Sequence, residues 1–536
     1  MPDAVVIGAG PNGLVAANHL ADAGWSVVVL EAAPEPGGAV RTGELTIPGF
    51  RHDLFSAFYP LAKASPAIRD LNLEEHGLRW CHAPLALAHP LRDGRCAAIS
   101  LDVDVTADSV GRFAAGDGDA WRAMVAGWEK VSEPLVTALM SSFPPVRPAA
   151  RLAARLGPAG TLRLVRHALL PVRRMTEELF DGIGAGLLLG GSALHTDLSP
   201  EAAASGFYGW LLACLGQQVG FPVPEGGAGA LTAAMVARLR SKGGDVVCNS
   251  RVEKVVIRGG RAVAVRLSGG DTVDAGRAVL ADVNAPILYC DLIGEEHLPP
   301  GVLHDLEHFQ WDTSTVKVDW ALSRPVPWSA PEAAEAGTVH VADDFNNFTE
   351  FSAHLAMGLL PSRPFLLFGQ QSRADPTRSP EGTETAWAYT HVPRHLLGDA
   401  AGEIDLSGGH DEARWLDRFV ERIEERVEAL APGFRSTILG RHAFAPVSME
   451  ATNANLNLGA INGGTSQLHQ QLIFRPIPGA GRPETPVAGL YLASSSAHPG
   501  GGVHGAAGAN AARAALLPFA RTRSALIGRG RSKSTG

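Results

Sequence analysis

Short apolar runs punctuated by glycine set the rhythm of this chain. Residues 4–7 form a strand-like run that breaks at Gly8, Gly10 and Gly13, and residues 14–23 then repeat their apolar positions with a helical period before Gly24. A second strand is expected over residues 25–30, ending at Glu31. Residues 85–104 alternate short apolar stretches with Gly and Pro, as strands leaving the first unit would. From 105 to 218 the period is mostly helical, with Trp121, Val125 and Trp128 on one stripe and a helix N-cap expected at Ser199 ahead of Pro200. Gly226 and Gly227 open a helix running to about Lys242, and strands follow at 245–249, 252–258 and 261–267. Residues 280–292 close that segment. Strand-like stretches at 313–322 and 365–368 precede an amphipathic helix over 412–430 that Pro432 and Gly433 stop. A strand over 489–493, a glycine-rich loop and a helix over 508–517 end the pattern.

The first glycine cluster, Gly8-Ala9-Gly10-Pro11-Asn12-Gly13, has the setting of a dinucleotide fingerprint: strand, glycines, helix, second strand and acid arrive in order. A tight turn in an ordinary α/β protein is the plainer reading of the glycines alone. In the dinucleotide reading, Gly8 permits the turn, Gly10 admits the pyrophosphate, Gly13 lets helix and strand approach, and Pro11 and Asn12 complete the loop at the helix N-terminus. Glu31, followed by Ala32, is placed to accept hydrogen bonds from the ribose hydroxyls. The next segment, with Gly37, Gly38 and Arg41, favours flavin over nicotinamide, because paired glycines bring amides close to a ligand and Arg41 offers a fork of donors. A surface salt bridge is the alternative for Arg41.

The second cluster, His498-Pro499-Gly500-Gly501-Gly502-Val503-His504-Gly505, precedes the last helix, so its amides and the helix dipole face the flavin's electron-rich edge. His498 and His504 read first as hydrogen-bonded structural histidines and second as flavin contacts. Val252 is expected either to line an adenine pocket or to be plain strand core. Within residues 313–320, period-two alternation puts Lys317 on the face of Thr315 and Asp319, opposite Val316 and Val318. A surface pair with Asp319 is one reading of Lys317; the other gives it a water near flavin N5, where its charge would act on the chemistry.

These elements describe an α/β chain in which one Rossmann-type FAD-binding domain is assembled from residues 1–85, 220–292 and 454–520. An α+β substrate domain is inserted as residues 86–219 and 293–453, and residues 521–536 form a loose basic tail. A ligand site is expected where the two domains meet.

A chain of 536 residues that is 46% hydrophobic has ample core for this arrangement, and its net charge of −9 argues against general nucleic-acid binding. Charge is uneven, however. Residues 145–175 carry Arg147, Arg151, Arg155, Arg163, Arg166, Arg173 and Arg174 among leucines, with no Asp or Glu. The first reading is a solvated helix face whose acidic partners come from elsewhere; the second is a peripheral membrane contact. Glycines and prolines interrupt the longest apolar runs, so no membrane span is expected, and the early first strand points to a cytoplasmic location. Cys81, Cys96, Cys214, Cys248 and Cys290 are scattered without a C-x-x-C and read as buried or inert thiols. No metal-ligand motif, G-x-S-x-G, P-loop or second fingerprint in a strand–helix setting competes with flavin chemistry.

Taken with Glu31 and the segments over 37–42 and 223–231, the first glycine cluster and the run over 489–512 resemble the phytoene desaturase and carotenoid isomerase branch of flavoproteins. They resemble still more the bacterial relatives of pyridine nucleotide-disulfide oxidoreductase domain-containing protein 2. The resemblance implies non-covalent FAD, an amine oxidase/phytoene desaturase-like fold and a large apolar cavity for a hydrophobic, polyprenoid substrate. It implies hydride transfer from a substrate C–H bond to flavin N5, with a quinone or oxygen as electron acceptor. A redox-neutral isomerase, an amine oxidase and a flavin-bound regulatory protein remain as alternatives. More distantly, residues 316–328, with Lys317, resemble the amine oxidase strand that bears the N5-water lysine. Many such relatives carry an acid before the terminal loop to hold the ribityl chain; here Ser494, Ser495 and Ser496 stand there, so hydroxyls and amides of Ser495 and Ser496 would replace it.

Overall fold

The computed structural model describes residues 1–406 and 412–517; the basic tail expected at 521–536 lies outside them. At its centre strand Ala4–Ile7 pairs in parallel with Val27–Leu30 on one side and Ala278–Ala281 on the other, Ala4 standing opposite both Val27 and Ala278. Leu490–Leu492 and Asp245–Val247 add the outer strands, so residues far apart in sequence build one five-stranded parallel sheet. Its strands are almost wholly apolar because both faces are covered. Ala4 and Val6 pack under helices Pro11–Asp22, Ala228–Ser241 and Ala506–Leu516, whereas Val5 and Ile7 face the antiparallel strands Val252–Arg258, Arg261–Leu267 and Thr272–Asp274.

The second sheet has seven strands, in the order Ile438–Phe444, Ser314–Leu322, Glu384–Val392, Leu366–Gln370, Ala336–Val341, Leu85–Pro90 and Cys96–Ile99. Alternation gives its faces different work. Val316, Val318, Trp320, Val339 and Phe368 pack against Phe419, Val420 and Ile423 of helix Glu412–Glu428. The other face carries Leu87, Leu367 and Trp387 and packs against a helical layer that includes Asp117–Met140, Ile183–Ala193 and Ser205–Val219. Trp121, Val125 and Trp128 are buried in that layer, as their common stripe predicts.

The helix start expected at Ser199 is corrected. Residues 200–204 form turns instead, with the Ala202 N–H donating to Ser199 O at 3.0 Å, and the helix begins at Ser205. Tertiary contact decides this: the Ser205 hydroxyl accepts the Val172 N–H at 2.8 Å, and Gly206 lies so close to Leu170 and Met175 that a methyl group would meet the Leu170 carbonyl at 2.7 Å. Among the thiols Cys290 is exposed, while Cys96 and Cys214 are buried. Among the described residues no helix is long and apolar enough to cross a membrane.

Helix Ala506–Leu516 crosses helix Pro11–Asp22 at backbone contact, since a methyl group on Gly508 would stand 1.9 Å from the Asn12 carbonyl oxygen. Gly508→Ala should therefore lower unfolding free energy by about 1–3 kcal/mol through overpacking. Gly127, exposed inside helix Asp117–Met140 with nothing near its missing methyl group, should behave oppositely. Gly127→Ala should raise stability by about 0.5–1 kcal/mol through helix propensity, and urea unfolding of the two variants checks both signs.

Candidate functional site

At the carboxyl ends of the parallel strands a large cavity runs between the two sheets. Gly10, Pro11, Asn12 and Gly38 line one end, and Ser495, Pro499, Gly501, Gly502 and Val503 join them from the end of the chain. Lys317 lines it from the seven-stranded sheet. Gly8, Gly13, Glu31, Ala32, Gly37, Arg41, Val252, Ser496 and Gly500 do not border it, although several hold its wall in place.

Gly8 has φ +90, and a methyl group on Gly13 would stand 2.2 Å from the Gly8 carbonyl oxygen, so strand, turn and helix meet only because both side chains are absent. The Glu31 carboxylate accepts the N–H groups of Ala9 at 2.7 Å and Ala33 at 2.9 Å, fixing the loop. Gly37 donates its N–H to the Ala9 carbonyl at 2.8 Å. Arg41 turns back on this segment, Nε donating to the Gly38 carbonyl at 3.0 Å. Val252 is half-buried at the start of its strand.

The terminal loop is propped from behind. Arg475, fully buried, donates to the carbonyls of Thr465 at 2.9 Å and of Asn462 and Ser495 at 2.8 Å. A methyl group on Gly500 would stand 3.2 Å from its guanidinium carbon. Ser496 donates its hydroxyl to the Gly463 carbonyl at 2.8 Å. His498 has Nε2 3.1 Å from the Ser141 carbonyl oxygen, and His504 Nδ1 accepts the Ala506 N–H at 3.0 Å. Burial pushes both rings down to about 4, so they are neutral supports of the loop, although His504 also borders the cavity.

Lys317 is not at the surface: it and Asp319 are 2% and 0% exposed, and Lys317 Nζ donates to both oxygens of that carboxylate. The surface-pair reading is corrected in location, because this face of the strand is covered. Nζ also donates to the Asp53 carbonyl at 3.0 Å. Burial opposes the charge of Asp319, but Lys317 and the nearby His52 outweigh it and hold the carboxyl below its ordinary range. The Asp53 side chain, buried in turn, accepts from Ala228 N–H at 2.7 Å and the Thr42 hydroxyl at 2.9 Å and pairs with Arg378 at 2.9 Å.

Several residues escaped the sequence reading. Asp282 follows the strand Ala278–Ala281, the position at which open α/β sheets present ligand-facing groups, and that offset was the available signal. Its Oδ2 accepts the Gly13 N–H at 2.8 Å and would stand 2.6 Å from a methyl group on Gly10. Asn284, Asn455 and Asn462 also border the cavity, but isolated asparagines gave no signal.

This wall suits a dinucleotide. A methyl group on Gly38 would come within 3.2 Å of Gly10, the buried Asn12 Oδ1 and Asn462 Nδ2 have no protein partner, and Gly502 and Val503 donate to no backbone carbonyl among the described residues. Beyond it the cavity is apolar, walled by Phe55, Phe58, Leu139, Met140, Phe207, Leu211 and Leu212. The nearly parallel rings of Trp387 and Tyr389, 5.8 Å apart, border it as well. His195, half-buried on that wall, has Nε2 3.0 Å from His340 Nε2, and burial pushes it down to about 3.

Burial raises the Asp282 carboxyl from 3.8 to about 7. The unfolded chain ionises first, so this group's contribution to stability is complete below pH about 4 and is lost as pH rises through about 7. Asp282→Asn keeps an acceptor for Gly13 and should flatten the stability profile across that window. Urea midpoints of ligand-free protein at pH 5 and 8 measure this.

Residues 12–352, well over half of the chain, match the family described as flavin containing amine oxidoreductase. The rat pyridine nucleotide-disulfide oxidoreductase domain-containing protein 2 is 30% identical over 95% of this chain and 92% of its own length. The neurosporene-forming phytoene desaturase of Cereibacter sphaeroides is 26% identical over 96% of this chain and 95% of its own. Cyclohexylamine oxidase from Brevibacterium oxydans shares the fold, with a TM-score of 0.57 at 16% identity over 96% of this chain and 98% of that one. With a glycine-built cradle between a parallel sheet and a mixed sheet, this chain belongs to the flavin containing amine oxidoreductase family, as a flavin-dependent oxidoreductase of the amine oxidase and phytoene desaturase superfamily.

Proposed function

We propose that the chain holds FAD non-covalently and dehydrogenates a hydrophobic, uncharged substrate of polyprenoid type, with a quinone or oxygen as the final electron acceptor. The observation that carries this reading is the charge inventory of the cavity. Among the described residues its only carboxylate and its only lysine, Asp282 and Lys317, are both engaged by protein groups, and the far wall is aromatic and aliphatic. An ammonium substrate would meet no open carboxylate there, and burying an unpaired charge costs several kcal/mol, on the order of 2–7 even for a neutral polar group. The likeness to a relative named phytoene desaturase supports the same substrate class.

In this reading Gly10, Pro11 and Asn12 receive the pyrophosphate at the helix N-terminus, with Gly8 and Gly13 shaping the turn. Glu31 and Ala32 lie toward the adenosine ribose, Gly37, Gly38 and Arg41 form the adjoining wall, and Val252 belongs to the adenine side. Ser495 and Ser496 take the ribityl side, and the loop from Pro499 through Gly500, Gly501 and Gly502 to Val503 turns its amides to the ring. When bound, the flavin would supply two-electron oxidation, accepting hydride at N5 from a substrate C–H bond. The aromatic wall orients the substrate and excludes water. Lys317, fixed by Asp319 and the Asp53 carbonyl, presents its ion-paired ammonium group to the wall and leaves no free carboxylate beside it.

The purified protein should show a flavin absorption spectrum that bleaches on anaerobic addition of one member of a panel of polyenes and isoprenoid lipids, and not with amines. Bleaching by an amine alone would replace this reading with an amine oxidase. A flavin that no compound bleaches would turn it to a redox-neutral isomerase or a regulatory protein. In Gly10→Val the added side chain collides with Asp282 and crowds the phosphates, so the folded variant should be purified colourless. A yellow, stoichiometric variant would refute the placement of the phosphates.

A further inference from the structure

The arginine-rich stretch is a helix, Val146–Leu169, broken at Gly157, where φ is 67, and followed by helix Val172–Leu179. Its inner face is satisfied: Leu152 is buried, and Leu156 and Leu164 pack against the helical layer. Its outer face is not that of an ordinary solvated helix. Leu162, Val165 and Leu169 fall at helical spacing on one side of the second arm and are 72%, 51% and 51% exposed. On the first arm Arg147, Arg151 and Arg155 recur every fourth residue along an exposed line, with Arg163 beside the aliphatic row.

The expected acidic partners reach only the end of the segment. Arg166 is held by both oxygens of Glu178, Arg174 by Glu178 and Arg173 by Glu201. Arg147, Arg151, Arg155 and Arg163 make no ion pair among the described residues, and residues 145–175 contain no acid. A chain of net charge −9 thus leaves four guanidiniums uncompensated on the same broken helix that carries the exposed aliphatic row.

We propose that helix Val146–Leu169 docks on an anionic phospholipid surface, with its arginines at the headgroups and Leu162, Val165 and Leu169 at the acyl boundary. Charge complementarity selects the occupant. A nucleic acid would satisfy the arginines and leave the aliphatic row in water, whereas a neutral apolar partner would strand the arginines. The position fits as well: the helix packs on Asp117–Met140 and Ser205–Val219, whose Leu139, Met140, Phe207 and Leu211 wall the apolar end of the cavity. The inference does not require the substrate reading, and its test measures binding alone.

Full-length protein should co-sediment with vesicles of phosphatidylcholine plus phosphatidylglycerol at low salt and not with phosphatidylcholine alone. Changing Arg147, Arg151, Arg155 and Arg163 together to Gln should weaken that partitioning by on the order of a hundredfold or more. A second variant, Leu162→Ser with Val165→Ser and Leu169→Ser, should also release the protein. All seven side chains point outward, so circular dichroism should show both variants folded. Failure of the parent protein to bind anionic vesicles, equal binding to neutral ones, or retention by either folded variant would overturn the proposal.

Discussion

Buried Asp53 links the seven-stranded sheet to a helix that packs on the parallel sheet. Its carboxylate accepts from the first turn of helix Ala228–Ser241 and from Thr42 beside the glycine cradle and forms an ion pair with the buried Arg378, while the backbone carbonyl of Asp53 receives Lys317 from the seven-stranded sheet. A carboxylate so deep is tolerable only with this many donors, because removing one partner of a buried ion pair costs about 3–5 kcal/mol. The network therefore holds a strand of the seven-stranded sheet at a fixed separation from a helix that packs on the parallel sheet. The cavity is the space that separation leaves.

Close backbone approach shapes the cradle on the other side. Gly13 against Gly8 and Gly508 against the Asn12 carbonyl bring a strand, two helices and a loop closer than any side chain permits, and Gly38 lies tightly against Gly10. Arg475 performs the same service for the terminal loop without an acidic partner at hydrogen-bond distance, spending its donors on backbone carbonyls of Asn462, Thr465 and Ser495. A guanidinium can do this because its donors diverge in a plane and each finds a carbonyl in a segment that has no regular ladder.

Polarity then divides the cavity. Near the glycines, asparagine amides and backbone N–H groups face it, with Asp282 held protonated up to about pH 7 by burial. Farther in, rings and aliphatic chains take over, and His195 is kept neutral by the same desolvation that keeps ions out. The division suits a polar cofactor beside an apolar reactant, since each end offers what the other would find costly.

The sequence by itself determined the elements whose signals are contiguous. The strand Ala4–Ile7, the fingerprint glycines, the strands Val252–Arg258 and Arg261–Leu267, and the alternation of Ser314–Leu322 into two opposite faces follow from local period and from backbone freedom at glycine. It also brought out two glycine clusters by their spacing, of which Gly10 from the first and Gly501 and Gly502 from the second border one cavity. Only the tertiary structure decided that Asp282 meets Gly10 and Gly13, that Asp53 joins Thr42, Arg378 and Lys317, that Lys317 is buried with Asp319, and that the helix expected at Ser199 begins at Ser205. Periodicity constrains a residue relative to its near neighbours. A hydrogen bond between residues hundreds of positions apart depends on how whole sheets and helices pack, and no local pattern carries that information.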